Sequence, residues 1–393
     1  MEKQIPRTRG CMFALACSIG SFSMACGNVL SLNAYNEKIS FQRGMFITSL
    51  GFVYFISLTD FFRKYFLETA SGIKFRQKYR LMTSDILDIT NKAVSAVQAT
   101  LSCLAGAIVC NSSCRKSFLT ASHFMSDAYA WFGTAYFVYD MWSMYTVHIQ
   151  KIADKLKLLN DNNDSVGGSK EVNGLYDEIK KNGNGNGSCN NSAQKPVVFK
   201  GQLKRFNKVP TDTPSFLYYC LTNPVMTIHH VFLGSFGLLV IVYLRGNFGD
   251  CVYSFIYMME LSTPFVSIRS ILSTIGLKDS TAYVINGLIM LVTFFICRVL
   301  MWPYVYYWYS GLVQMSVIQA IASLPLGCKI GTLILFLPQM YWFYLMVQGA
   351  LKVFFPPANK KTDTKGTEFS LNSGNNFVLP NKKTIYSSTT IVK

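Results

Sequence analysis

The sequence predicts an all-α integral membrane protein, a bundle of about seven to eight transmembrane helices. Half of the 393 residues (50%) are hydrophobic and only 15% are charged, a combination that is unusual in soluble domains. The apolar residues fall into separate blocks of roughly 18–25 residues, the length with which a helix crosses a hydrocarbon core. Lysine and arginine are concentrated in the loops between these blocks, as in polytopic membrane proteins.

Eight apolar blocks carry this prediction. They comprise residues 11–32, 44–62, 93–110, 124–147, 224–244, 250–271, 282–302 and 330–351. The first block has two interpretations, because basic residues precede it and small residues surround Ala25-Cys26-Gly27, as at a signal-peptide cleavage site. Its length of about 20 residues favours a retained transmembrane helix.

The charges of the loops orient these helices. The loop after the second block is cytoplasmic by the positive-inside rule, since it carries Arg63, Lys64, Lys74, Arg76, Lys78 and Arg80. The glycosylation sequon Asn111-Ser112-Ser113 then faces the lumen, and both termini lie in the cytoplasm if the first block is retained. The same rule explains the net charge of +17, so we expect no nucleic-acid partner.

The chain divides into a membrane domain and three flanking or inserted segments. Residues 1–40 form an N-terminal segment with the extra apolar block, and residues 41–355 form the membrane domain. Within it, residues 149–214 are rich in Lys, Asn and Gly, which predicts a disordered cytoplasmic insertion. Residues 356–393 are basic and poor in apolar residues, which predicts a disordered cytoplasmic tail.

The 11 cysteines show no CxxC spacing. Several fall within or beside apolar blocks, namely Cys17, Cys26, Cys103, Cys110, Cys220, Cys251 and Cys297. We interpret them as small buried hydrophobic residues, and we predict neither a disulfide framework nor a zinc site.

Ionisable residues inside the apolar blocks are the candidates for a functional site. These residues are Asp140, His229, His230, Glu260 and Arg298. Each costs about 2.5–3.5 kcal/mol to insert at membrane depth, so such residues face the interior of a bundle.

His229 and His230 point about 100° apart on a helix, so only one can face a central cavity directly. The pair is poorly spaced for one metal ion, and we expect no metal and no cofactor. A neutral histidine can act as a general base or as a transient acyl acceptor. One hypothesis is that His230 takes the proton or acyl group while His229 or Glu260 orients it. The alternative is that both histidines form interhelical hydrogen bonds.

Glu260 lies four residues before Pro264, which supplies no N–H to the Glu260 carbonyl and predicts a kink. The kink would expose the Glu260 backbone carbonyl and the Glu260 carboxylate at the same depth in the membrane. Glu260 therefore either lines a cavity or forms a buried ion pair with Arg298. Asp140 is interpreted as one partner of a helix–helix ion pair, again with Arg298 as a candidate.

Several sequence strings resemble the TLC-domain family. They are Ile228-His229-His230, Leu244-Arg245-Gly246, Gly249-Asp250, Glu260-Leu261-Ser262-Thr263-Pro264-Phe265, Tyr139-Asp140, Val284-Ile285-Asn286-Gly287, Cys297-Arg298 and Pro338-Gln339-Met340-Tyr341-Trp342-Phe343. Within the family the chain looks most like the TLC domain-containing protein 3 group, and it is distantly similar to ceramide synthases. The resemblance covers residues 41–355 apart from the insertion.

This resemblance implies a protein of membrane lipid metabolism in the endoplasmic reticulum, with the plasma membrane and Golgi as other locations. Ceramide synthases transfer an acyl group from acyl-CoA to a sphingoid base. The implied partners are therefore membrane lipids, a sphingoid base and acyl-CoA, the last as a co-substrate. Other family members are described as non-catalytic regulators of lipid composition, and this alternative stays open. The oligomeric state is also open, with a dimer as one option.

Two positions depart from the ceramide synthase pattern. The chain has Tyr257-Met258-Met259-Glu260 where the synthases carry a further His-Asp pair. It has Ser95-Ala96-Val97-Gln98 where related chains place a histidine in the position of Gln98. Gln98 and Asp250 thus join Asp140 and Arg298 as candidates for a cavity or an ion pair.

Overall fold

The computed structural model describes residues 8–32, 38–180, 209–246 and 248–354, with side chains as far as 161 and again from 209 to 351. Within these ranges every regular element is a helix, which confirms the predicted all-α class. The predicted tail, residues 356–393, lies outside the described residues, as does the part of the predicted insertion from 181 to 208.

Seven of the described helices are long and apolar enough to cross a membrane. They are α1 (Thr8–Leu30), α2 (Phe41–Glu68), α4 (Thr83–Ser113), α7 (Pro224–Leu244), α8 (Asp250–Thr274), α9 (Thr281–Val313) and α11 (Leu326–Phe354). The shorter helices α3 (Ala70–Lys78), α6 (Phe216–Thr222) and α10 (Val317–Ser323) lie between them, and α5 covers Phe124–Lys180.

Helix α5 is less hydropathic because tyrosines and polar residues replace aliphatic ones, yet it runs beside two of the spanning helices. Along α2, Thr48 Oγ1 donates to the Trp131 carbonyl at 2.8 Å, and Phe55 packs against Tyr139 farther along both helices. Helix α5 is thus parallel to α2, and it is antiparallel to α4. Gln98 of α4 contacts Tyr129 near the start of α5, whereas the Ser84 N–H at the start of α4 bonds Asp154 farther along α5, at 2.8 Å. The first half of α5 therefore lies at membrane depth as an eighth helix.

The structure differs from the sequence prediction at the start of the insertion, where α5 continues to Lys180. Ile152 and Leu158 are buried, and Asp154 accepts the Ser84 N–H at the beginning of α4. Residues 149–161 are therefore a packed helix and not a disordered loop. The sequence did not show this, because the few inward-facing apolar residues stand among many Lys and Asn residues of the outer face.

Helix α4 is the central element, because it packs on α5 along one side and on α8 along the other. It runs antiparallel to α8: Ser102 Oγ donates to the Tyr257 carbonyl at 3.1 Å, and Ile86 and Ile89 pack near Ile271 at the opposite end. The pairing of α4 with both neighbours brings residues from α5 and α8 to matching depths.

A disulfide joins Cys114 at the end of α4 to Cys251 at the beginning of α8, with a Cα–Cα distance of 4.8 Å. The interpretation of Cys251 as an unpaired hydrophobic residue is therefore wrong. The two cysteines are 137 residues apart in the sequence, so no local spacing could reveal the pair. Disulfides persist in oxidising compartments, which agrees with the luminal side predicted from the sequon at Asn111.

Glycine lets these helices approach closely, as is common at helix interfaces in membranes. A Cβ atom at Gly51 of α2 would lie 2.7 Å from the Phe132 carbonyl oxygen of α5. A Cβ atom at Gly106 of α4 would lie 2.8 Å from the Ser254 carbonyl oxygen of α8. At both positions the nearest atom belongs to backbone, so a change of side-chain rotamer alone would not relieve the overlap.

We predict that Gly51→Ala lowers the free energy of unfolding by about 1–3 kcal/mol, because the added methyl group overlaps backbone that must shift. The matched control is Gly287→Ala in α9, where a Cβ atom meets nothing within 4 Å. Alanine favours helix, so the control should be neutral or stabilising. Apparent melting temperatures in detergent measure both, and equal values would contradict the close contact of α2 and α5.

A polar layer where three helices are irregular

Four of the candidate residues, His229, His230, Glu260 and Arg298, lie within or just before segments where the transmembrane helices depart from regular α geometry. In α7 a π-helical stretch, Phe232–Gly237, begins two residues after His230. In α8 a 3₁₀ turn, Met259–Ser262, contains Glu260, and in α9 another π-helical stretch, Phe295–Leu300, contains Arg298. Single-turn π segments inside α-helices are frequent at functional sites.

Local sequence explains two of these irregularities. In α8 the 3₁₀ turn comes immediately before Pro264, and regular α-helix resumes at Thr263. The Thr263 N–H bonds the Glu260 carbonyl, so this carbonyl is not left free, contrary to the expectation from sequence. In α7, a Cβ atom at Gly234 would lie 2.9 Å from the Cβ atom of Phe137 in α5. This close approach of α7 to α5 brings His230 against Asp140, one turn away.

His230, Asp140, Asn91 and Ser143 form the histidine cluster, which joins α7, α5 and α4. His230 Nε2 lies 2.8 Å from Asp140 Oδ2, and Asn91 Nδ2 donates to Asp140 Oδ1 at 2.6 Å. Asn91 Nδ2 also donates to Ser143 Oγ at 3.1 Å. His230 and Asp140 are each 5% exposed, so this pair is shielded from both water and lipid.

Both ring nitrogens of His230 are occupied. Nδ1 lies 2.9 Å from the Met226 carbonyl oxygen, which can only accept, so Nδ1 carries a proton. Nε2 shares the second hydrogen bond with the Asp140 carboxyl group. His230 is therefore committed to holding α7 against α5 and has no ring nitrogen left for a substrate.

Arg298, Glu260, Ser262, Thr263 and Gln339 form the arginine cluster, which joins α9, α8 and α11. The Arg298 guanidinium donates to Glu260 Oε2 at 3.2 Å and Thr263 Oγ1 at 2.8 Å, and also to Ser262 Oγ at 2.9 Å and Gln339 Oε1 at 3.1 Å. The predicted pairing of Glu260 with Arg298 is present. The proposed pairing of Asp140 with Arg298 is wrong, because Asp140 is held by His230 and Asn91.

His229 lies between the two clusters. Its ring stands edge-on to His230, with centroids 5.7 Å apart, and edge-on to Trp342 of α11, with centroids 5.6 Å apart. The side chain is half-buried, and no hydrogen bond from its ring nitrogens is found among the residues that the structure describes. Its two ring nitrogens are therefore available to a bound molecule.

Gln98 lies deeper in the bundle. Its Nε2 atom donates to the Tyr129 hydroxyl at 2.9 Å, and the Tyr129 ring packs edge-on against Tyr257, with centroids 5.0 Å apart. Gln98 is 5% exposed, so this position contributes a buried contact between α4 and α5.

Asp250 lies outside the polar layer, at the disulfide end of α8. It pairs with Arg245, which also donates to Asp127 Oδ1 at 2.7 Å, and it accepts the backbone N–H of His123 at 2.5 Å. Asp250 is fully buried. Its contacts with Arg245 and His123 connect the end of α7 and the beginning of α8 to the start of α5. Burial lowers the pKa of the nearby His123 imidazole, which is therefore neutral at pH 7.

The family model of the TLC domain matches residues 88–348. The chain belongs to the TLC-domain family. The match begins in α4 and ends in α11, so it contains every candidate residue, whereas α1 and α2 precede it. This membership assigns the TLC-domain protein to multi-pass membrane proteins with a function related to membrane lipids. No solved structure matches the chain.

The sequence named Gln98 as a candidate, but the neutral partners Asn91 and Gln339 of the polar layer were missed. Asn91 and Gln98 belong to a buried polar stripe on α4 that also includes Ser84, Ser95 and Ser102. Their spacing of three, four or seven residues is the period of one helix face, so the stripe could have been recognised. Gln339 and Trp342 stand in a string that had been quoted only for its resemblance.

We predict that Arg298→Leu lowers the free energy of unfolding by about 1–3 kcal/mol, because it removes four hydrogen bonds and leaves the Glu260 carboxylate unpaired. The double variant Arg298→Leu with Glu260→Leu should recover most of this loss, since it removes both charges. Arg269→Leu is the control, because among the described residues Arg269 makes one hydrogen bond, to the Tyr283 hydroxyl, and stacks on that ring. A double variant no more stable than the single one in detergent melts would contradict the ion pair.

Proposed function

We propose that the TLC-domain protein transfers an acyl group from acyl-CoA to the amine of a sphingoid base, and that His229 contacts the reacting atoms. The observation that carries the proposal is the contrast between the two histidines. Both ring nitrogens of His230 are bound inside the protein, whereas those of His229 have no partner among the described residues. This assignment moves the chemical role from His230, where the sequence hypothesis placed it, to His229.

The chemistry requires one proton transfer between the substrates. The amine nitrogen attacks the thioester carbonyl carbon, the carbon–sulfur bond breaks, and the amine must lose a proton as the amide forms. A neutral imidazole at His229 would accept this proton and return it to the departing coenzyme A sulfur. The acyl-CoA is consumed as a co-substrate, and no cofactor is required.

The two clusters would position His229. The hydrogen bond from His230 to Asp140 of α5 fixes the rotation of α7 and thereby the direction of the adjacent His229 side chain, while the bond to Met226 fixes the His230 ring on its own helix. The contact with Trp342 holds the other edge of the His229 ring against α11. His230 and Asp140 are thus positioning residues in this proposal, and Glu260, 27% exposed at its side chain, flanks the same layer.

A non-catalytic regulator or sensor of membrane lipid composition is the second candidate. It is favoured by the bonding of Arg298, whose four hydrogen bonds among the described residues all go to side chains of α8 and α11. A side chain whose hydrogen bonds all go to neighbouring helices is typical of a structural contact that holds those helices together. In this alternative, His229 would hydrogen-bond a lipid headgroup or backbone without reacting.

Purified full-length protein in lipid nanodiscs, incubated with a sphingoid base and acyl-CoAs of several chain lengths, tests the proposal by mass spectrometry of the products. We expect ceramide from the wild type and a rate at least ~100-fold lower from His229→Ala, the usual effect of losing a general base. The control is His148→Ala, because His148 is a half-buried histidine of α5 that packs against Tyr219 outside the polar layer.

Equal ceramide formation by wild type and His229→Ala would overturn the role of His229. No ceramide with any acyl-CoA, together with lipid that co-purifies with the wild type and is lost from His229→Ala, would instead support the regulator.

A further inference from the structure

Three cysteine sulfurs meet at the predicted luminal end of α4. Cys114 is bonded to Cys251, and the free thiol of Cys110 lies 3.6 Å from Cys114 Sγ. Residues four apart on a helix share one face, so this contact is built into α4. This sulfur–sulfur distance is close to van der Waals contact. Of the two disulfide sulfurs, the Cys110 thiol therefore faces that of Cys114.

The three sulfurs differ in accessibility. Cys251 is fully buried, whereas Cys110 and Cys114 are half-buried. Cys110 and Cys114 also line a shallow surface pocket together with Ala107, Asn111, Arg115, Met258 and Trp308. Solvent therefore reaches the free thiol and the outer disulfide sulfur from one side, while the inner sulfur is covered by packed helices.

We propose that Cys110 is an exchange thiol that opens the Cys114–Cys251 disulfide. The Cys110 sulfur, as thiolate, attacks Cys114 Sγ and forms a Cys110–Cys114 bond. The Cys114–Cys251 bond breaks, its electron pair leaves with the Cys251 sulfur, and Cys251 takes up the proton that Cys110 released. The numbers of thiols and disulfides are unchanged, so the step requires no external oxidant or reductant.

The product disulfide fits the helix. Cα atoms four residues apart on an α-helix are separated by about 6 Å. That separation falls within the roughly 4.4–6.8 Å range of disulfide-bonded cysteines. Cys114 is also the residue that follows the last turn of α4, where the backbone can adjust most easily.

Exchange changes what the disulfide connects. In the first state it links α4 to α8, and in the second both ends lie on α4. The start of α8 is then held by non-covalent contacts, chiefly the pairing of Asp250 with Arg245. The site is independent of the proposed acyl transfer, because it lies at the opposite end of α4 from Asn91.

Disulfide mapping of the full-length protein tests the exchange. Detergent-solubilised wild type is equilibrated in glutathione buffers of increasing reduced fraction, quenched with acid, alkylated and digested with trypsin. The peptide 93–115 contains Cys103, Cys110 and Cys114, so an internal disulfide is distinguished by mass from a cross-link to the peptide with Cys251. We expect wild type to yield the internal Cys110–Cys114 disulfide together with alkylated Cys251.

Cys110→Ser removes the attacking thiol, and we expect alkylation of Cys251 to be at least ~10-fold slower, because the intramolecular route is lost. Cys103→Ser is the matched control on the same helix, where the thiol contacts the Met258 carbonyl, and it should behave as wild type. Absence of the internal disulfide from wild type at every glutathione ratio would overturn the proposal, even if Cys110→Ser fails to fold. Equal alkylation of Cys251 in wild type and folded Cys110→Ser would overturn it as well.

Discussion

A polar side chain inside a hydrocarbon layer must find its partner within the protein, because neither lipid nor water is there to supply one. The pairing of His230 with Asp140 meets this requirement between α7 and α5, and Asn91 extends it to α4. Arg298 meets it with Glu260 and Gln339, between α9, α8 and α11. These two clusters connect the helices of the membrane domain at one depth, and the rest of the site depends on them.

The same requirement accounts for the irregular helix geometry in this layer. Regular α-helices would place the pairing side chains at fixed angles, whereas the π-helical stretches of α7 and α9 and the 3₁₀ turn of α8 adjust the rotation locally. Gly234 permits the close approach that completes the histidine cluster. With His230 committed to its neighbours, the adjacent His229 is left facing Trp342 with both ring nitrogens available. A structural pair next to an unpaired histidine is the arrangement on which the proposed acyl transfer rests.

Much of this architecture could be predicted from apolar blocks, basic loops and Pro264, because membrane thickness and proline geometry act locally on the sequence. The five ionisable residues that the sequence places at membrane depth do lie in the polar layer. Which of them pair with each other could not be predicted from the sequence. Asp140 faces His230 and not Arg298, since helix order and rotation decide which side chains meet. The disulfide of Cys114 and Cys251 depends on the antiparallel packing of α4 and α8, a contact between distant segments. The helical continuation of α5 past residue 149 was hidden by its polar outer face.

Hydrogen bonds within the protein occupy both ring nitrogens of His230 and, among the described residues, leave those of His229 without a partner. Carbethoxylation of the purified protein with diethyl pyrocarbonate measures this most directly, because the reagent requires an unprotonated, unbound imidazole nitrogen. Tandem mass spectrometry separates the adjacent residues, and the half-buried His148 serves as an internal reference. We expect modification of His229 at a rate comparable with His148, and no modification of His230 until the protein unfolds. Modification of His230 in the folded protein, with His229 protected, would contradict it.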